Sequence, residues 1–222
     1  MSDYSYFCGI DLAKNHFSLH AVDKSGKVIL HKSVTRSKLL TTIANLSIIR
    51  IGIEAYSGAH YWARTLNKLG HDSRIMAVKF VIPYRTKGKN DLNDAITIYE
   101  AVQRPSTRFV AIKSPEQQAI LSLHRMREHW VRELTALMNH MRALLSEFGL
   151  IISVGRSLLM KQVPLMLEDA KSELPLLART LIADAYHHLD ELNQRIADTG
   201  QVFDSFAKAS TNVQRVTKVR GI

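Results

Sequence analysis

Apolar and polar positions alternate in short, strand-length runs through the first hundred residues, with helical stretches between them. Tyr6 to Leu12 is an apolar run carrying an acid near its end, which predicts a buried strand. Phe17 to Val22 and Val28 to Val34, joined by Asp23-Lys24-Ser25-Gly26-Lys27, predict a hairpin. Ser37 to Leu46 predicts a short helix, followed by the apolar strand Ile48 to Glu54. Ser57 is a candidate cap for a helix from Gly58 to Leu69, with Gly70 as the stop just past its end. Ser73 to Val78 predicts a further strand, and a basic loop covers Pro83 to Asn90. The helix that starts near Asp91 should stop before Arg104-Pro105, because a residue preceding proline disfavours the helical region.

After Pro115 the periodicity changes. Ile120, Leu123, Trp130, Leu134, Leu137, Met141, Leu144 and Phe148 follow steps of three and four, with Arg127 at the missing position. One long helix with a narrow apolar stripe follows, on the order of 50 Å at about 1.5 Å per residue. A second helix is predicted from about Ser172 to Phe206, with Leu177, Leu181, Leu189, Leu192, Ile196, Phe203 and Phe206 along one side. Gly155, Pro164 and Pro175 predict a bent connection between the two. Narrow stripes of this kind suit an antiparallel hairpin, an intermolecular coiled coil or an ordinary bundle.

Composition narrows the function. The 222 residues are 46% hydrophobic, enough for one sizeable core and a smaller second unit. Thirty Lys and Arg against twenty Asp and Glu leave a net charge of +10, which favours a polyanionic partner through counterion release. The single cysteine, Cys8, rules out an internal disulfide framework and reads as a buried, inert thiol. The N-terminus lacks the pattern of a signal peptide, and no run approaches the roughly 18 apolar residues of a membrane span, so a cytoplasmic protein is expected.

Four acids fall where this strand order brings them together. Asp11 lies near the end of the first strand and Glu54 at the end of the fourth, which in a β-β-β-α-β order pairs beside the first. Asp91 and Asp94 are three apart and share one face of a helical turn. Carboxylates gathered in one pocket raise each other's pKa and call for a cation. Mg²⁺ or Mn²⁺ suits an all-oxygen set, and two such ions roughly 4 Å apart support phosphodiester chemistry. Each acid also has a plainer use: Asp11 as a turn cap, Glu54 as an ion-pair partner, Asp91 as a helix N-cap and Asp94 as a first-turn charge.

Arg85, Lys87 and Lys89 stand immediately before the acidic pair and are candidates for phosphate contact, as is Lys14. Tyr56, His60, Tyr61 and Trp62 follow Glu54 and could stack on bases or simply pack a helix. Gly9-Ile10-Asp11-Leu12 also matches the first strand of actin-like ATPases. That superfamily needs small phosphate-holding residues after the acid, where this chain has Ala13-Lys14-Asn15-His16.

The segments CGIDLAKNHF, IGIEAYSGAHYWAR and YRTKGKNDLNDA, in that order, resemble the N-terminal domain of the DEDD insertion-sequence transposases, a family that includes a pilin-gene invertase. The resemblance is close over roughly residues 5 to 150 and looser beyond. It implies an α/β, RuvC-like (ribonuclease H-type) domain over 1–112 and a helical coiled-coil segment over 113–215. Residues 216–222 would then open a C-terminal transposase domain whose serine nucleophile is absent, so the chain is expected to be truncated. Carried onto this sequence, the family's acids are Asp11, Glu54, Asp91 and Asp94. The implied activity is divalent-metal-dependent DNA cleavage and transfer in transposition, with DNA, a structured guide RNA and further copies of the chain as partners. The alternative is a nucleic-acid-binding and oligomerisation module without catalysis.

Overall fold

A computed structural model describes residues 6–85, 90–170 and 173–209. Lys87, Lys89 and the expected domain start at 216–222 lie outside the described residues. The chain divides between Glu116 and Gln117 into two compact units.

The first unit is built on a six-stranded sheet in the order β3-β2-β1-β4-β5-β6. Strands β1 (Phe7–Leu12), β2 (His16–Val22) and β3 (Val28–Thr35) form an antiparallel meander. A 3-10 turn at Arg36–Lys38 leads into α1 (Leu39–Ala44), and β4 (Arg50–Glu54) then pairs parallel to β1. After α2 (Ala59–Lys68), β5 (Asp72–Met76) extends the parallel part. Val78, expected to end this strand, instead starts a helical turn, α3 (Val78–Val81), and the loop expected over Pro83 to Asn90 opens inside a 3-10 turn at Ile82–Tyr84. Helix α4 (Asp91–Val102) follows, and the unpredicted edge strand β6 (Phe109–Val110) pairs antiparallel to β5. This is the RuvC-like α/β arrangement.

Alternation along β1 and β4 sends their side chains to opposite layers. Cys8, Ile10, Ile51 and Ile53 are fully buried and pack with Trp62 and Leu66 of α2. Burial pushes the Cys8 thiol up to about 12, so it is inert as expected. The opposite layer holds α4, and there the strands carry glycine. A Cβ on Gly9 would stand 2.1 Å from the Ala95 carbonyl oxygen, and one on Gly52 would stand 2.8 Å from the Val102 Cβ. Gly9 and Gly52 are register partners, so together they form the trough in which α4 lies.

Two local details differ from expectation. Ser57 does not cap α2; Gly58 occupies the N-cap with φ of 84° and no side-chain cap bond. Asp91 is not the cap of α4, because Asn90 takes that place and its side chain accepts from the Leu92 N–H at 3.0 Å.

The second unit holds α5 (Pro115–Ser146), whose first residues belong to the first unit, with α6 (Arg156–Glu168) and α7 (Leu176–Ala209). His188 Nε2 lies 3.2 Å from Glu133 Oε1 and the His124 ring packs against Phe203, so α5 and α7 run antiparallel within one chain. Their core includes Leu134, Met141, Leu145, Ile182, Leu189 and Leu192. Leu177 and Leu181, expected on the packed side, are 72% and 55% exposed.

Helix α6 occupies the connection expected to be merely bent. Pro164 inside it lacks the N–H that would bond the Met160 carbonyl, and the Tyr186 hydroxyl donates to that oxygen instead, at 3.1 Å. Arg179 donates to the carbonyls of Leu167 at 2.6 Å and Asp169 at 2.8 Å, satisfying the C-terminal end of α6.

Candidate metal centre

The acids are brought together by strand register and by the seating of α4. Ile10 and Ile53 are the last paired residues of β1 and β4, so Asp11 and Glu54 follow side by side on neighbouring strands. Each acid stands two positions after a trough glycine and therefore faces the α4 layer. Asn90 starts α4 at a height that puts Asp91 and Asp94 in its first turn, over the same sheet end.

Carboxylate oxygens of Asp11, Asp91 and Asp94 all lie within 4.8 Å of one another. Glu54 is outside that trio, but its charge reaches Asp11 and it feels Asp94. Burial, and then the charges of Asp94, Asp91 and Glu54, push the Asp11 carboxyl up to about 6. Burial also raises Glu54, with Asp94 adding to the shift and Arg85 opposing it. Arg85 Nε lies 3.6 Å from Asp94 Oδ1.

The donor set is all oxygen, partly buried and short of positive charge, which fits a hard divalent cation. Asp91 is exposed while Asp11 and Asp94 are half-buried, so the cluster opens to solvent on the α4 side.

Lys14 is exposed on the loop after β1. Of the aromatic group after Glu54, Tyr56 is 74% exposed, whereas Trp62 is buried with its ring 5.1 Å from that of Phe17. The Arg36 guanidinium lies 5.0 Å from the Trp62 ring. His60 accepts from the Lys113 N–H at 3.2 Å, which ties α2 to the segment between β6 and the next helix. Charge is uneven along the chain. Residues 1–116 carry seventeen Lys and Arg against nine Asp and Glu, and residues 117–222 carry thirteen against eleven.

Sequence reasoning missed the glycines and the Arg85 ion pair. The first had a visible signal, since Gly9-Ile10-Asp11 and Gly52-Ile53-Glu54 repeat one glycine-isoleucine-acid pattern at two strand ends.

The first unit is thus a RuvC-like α/β domain with one acid of its trio, Asp11, at a strand end and the other two, Asp91 and Asp94, in the first turn of α4. The transposase family model for DEDD transposases of the IS110 type matches residues 8–149. The chain is 38% identical over 215 residues to a probable family 20 transposase of Pseudomonas aeruginosa, covering 96% of this chain and 64% of that protein. It is 35% identical over 214 residues to the transposase for insertion sequence element IS1111A of Coxiella burnetii, covering 96% and 59%. It is 33% identical over 214 residues to the transposase for insertion sequence element IS1328 of Yersinia enterocolitica, covering 96% and 63%. The chain belongs to the IS110-type DEDD transposase family. It spans about three-fifths of the length of these relatives.

Proposed function

We propose that this chain is the metal-binding, DNA-handling portion of a transposase, with Asp11, Glu54, Asp91 and Asp94 as the ligands of Mg²⁺ or Mn²⁺. The observation that carries this reading is the convergence of Asp11, Asp91 and Asp94 within 4.8 Å from separate parts of the chain. When bound, a pair of such ions supplies activation of a nucleophile and stabilisation of a leaving oxygen at a phosphodiester. Asp11 and Asp94, half-buried, fix the position of the site, and Asp91 and Glu54 complete its charge. Arg85, Lys14, Lys87 and Lys89 hold the phosphate backbone beside it, in keeping with the basic surplus of residues 1–116.

DNA is the partner that membership of a transposase family points to, and a structured guide RNA is a second polyanion that the same basic surplus suits. Assembly into a homo-oligomer through the helical unit is supported by an apolar groove of about 260 Å³ lined by Leu144, Phe148, Pro175, Leu177 and Leu181. No described helix is long and apolar enough to cross a membrane. A cytoplasmic location is proposed from the transposase family, whose work is on DNA.

A transposition assay in a protein of the relatives' full length tests this reading. Asp11→Asn or Asp94→Asn should abolish DNA strand transfer, and undiminished activity in either variant would remove the site assignment. A second reading, a nucleic-acid-binding and oligomerisation module without catalysis, draws on the basic surplus of residues 1–116 and the apolar groove of the helical unit. It requires nucleic-acid affinity to persist with no binding of metal.

A further inference from the structure

We propose that Arg85 is a built-in countercation of the acidic site, paired with Asp94 in the metal-free protein and exchanged to a substrate phosphate when divalent metal enters. The inference rests on the reading of the acids as a metal site. It assigns to Arg85 a role that phosphate contact alone does not include.

Three observations point this way. Arg85 Nε lies 3.6 Å from Asp94 Oδ1, a carboxylate that also belongs to the converging trio. The guanidinium and a metal ion would therefore draw on the same carboxylate. The pair is loose, since a guanidinium committed to a carboxylate ordinarily closes two bonds at about 2.7–2.9 Å. Such a pair gives way readily to a competing cation.

The backbone of Arg85 is held more firmly than its side chain, whose pair with Asp94 is the loose 3.6 Å contact. Its N–H donates to the Ile82 carbonyl at 3.0 Å, closing the 3-10 turn that Pro83 helps to fix. Tyr84 packs against the cluster of Met76, Val81 and Ile98, and the Arg104 guanidinium lies 5.4 Å from its ring. The Arg85 side chain is 46% exposed and that of Asp94 19%, so the cation stands on the solvent side of the acid it serves. From there its planar fork can turn outward to a phosphate without moving the chain behind it.

Electrostatics sets the order of exchange. Without metal, Arg85 offsets the mutual repulsion of the carboxylates. A divalent ion among the acids supplies more charge at shorter range and repels the guanidinium. Metal loading thus frees the group that holds the backbone, and phosphate binding draws off the cation that competes with metal. Each event favours the other by the same factor.

Calorimetric titration of Mn²⁺ into the 222-residue chain at pH 7.5 tests the exchange, with Arg85→Gln, Arg85→Ala and Arg85→Lys alongside. Arg85→Gln and Arg85→Ala should bind Mn²⁺ about three- to tenfold more tightly than the parent, with Arg85→Lys close to it. A short DNA oligonucleotide should tighten Mn²⁺ binding in the parent by a larger factor than in Arg85→Gln, and an equal factor in the two would overturn the exchange. Equal or weaker binding in both neutral variants, with the parent binding normally, would overturn the inference and spare the metal site. Absence of Mn²⁺ binding in every protein, parent included, would overturn both.

Discussion

The main chain of Gly9 lies against Ala95 so closely that a Cβ on residue 9 would stand 2.1 Å from the Ala95 carbonyl oxygen and 2.4 Å from the Tyr99 nitrogen. Ala95 directly follows Asp94, so this contact sets how far the acids of α4 stand from Asp11. Gly9→Ala has backbone on the other side and no flexible atom to displace. It should cost about 2–3 kcal/mol of stability, in the range for overpacking a core, and it should also weaken metal binding by lifting α4. Gly200→Ala is the contrast, because nothing lies within 4 Å of its Cβ inside α7. That change should stabilise by about 1 kcal/mol through helix propensity. Denaturant unfolding of the two variants checks both signs.

The Tyr186 hydroxyl is the donor that replaces the N–H lost at Pro164. Tyr186→Phe keeps the ring and strands the Met160 carbonyl, at an expected cost of about 1–2 kcal/mol. In a Pro164→Ala background the helix supplies its own donor, so the same change should cost less. A double-mutant cycle by chemical denaturation measures the difference, and strict additivity would contradict the account.

Metal affinity should depend on pH in a direction that Asp11 dictates. Its carboxyl is raised from 3.8 to about 6 in the folded chain, so between those values the folded state holds a proton that the unfolded state has released. Stability from this group is therefore present at low pH and lost as pH rises through about 6. Metal must displace that proton, so Mn²⁺ affinity should fall about tenfold between pH 7.5 and pH 5. Thermal-shift titrations at the two values check this, and a pH-independent affinity would contradict it.

Much of this arrangement is legible in the residues. Apolar runs ending at Asp11 and Glu54 mark adjacent strands, and the spacing of Asp91 and Asp94 marks one helical face. The glycine trough was harder to see, because glycine in a strand usually signals a bend and only the helix above explains its use here. Helix α6 was hidden by Pro164, a breaker tolerated because Tyr186, distant in sequence, supplies the missing donor. Strand β6 spans only two residues and carries no period. The exposure of Leu177 and Leu181 follows from which helix lies beside them, and periodicity alone does not specify that. The Arg85 pair depends on a side chain reaching across the site, and the same residue reads equally well as a phosphate contact.

The central claim is that Asp11, Asp91 and Asp94, with Glu54 beside them, bind divalent metal. Calorimetric titration of Mn²⁺ into this chain at pH 7.5 tests it most directly, with Asp11→Asn and Asp94→Asn measured in parallel. Saturable binding by the parent, lost in both variants while their folds persist by circular dichroism, is the predicted result. No binding by the parent at millimolar Mn²⁺, or unchanged binding in the variants, would contradict it.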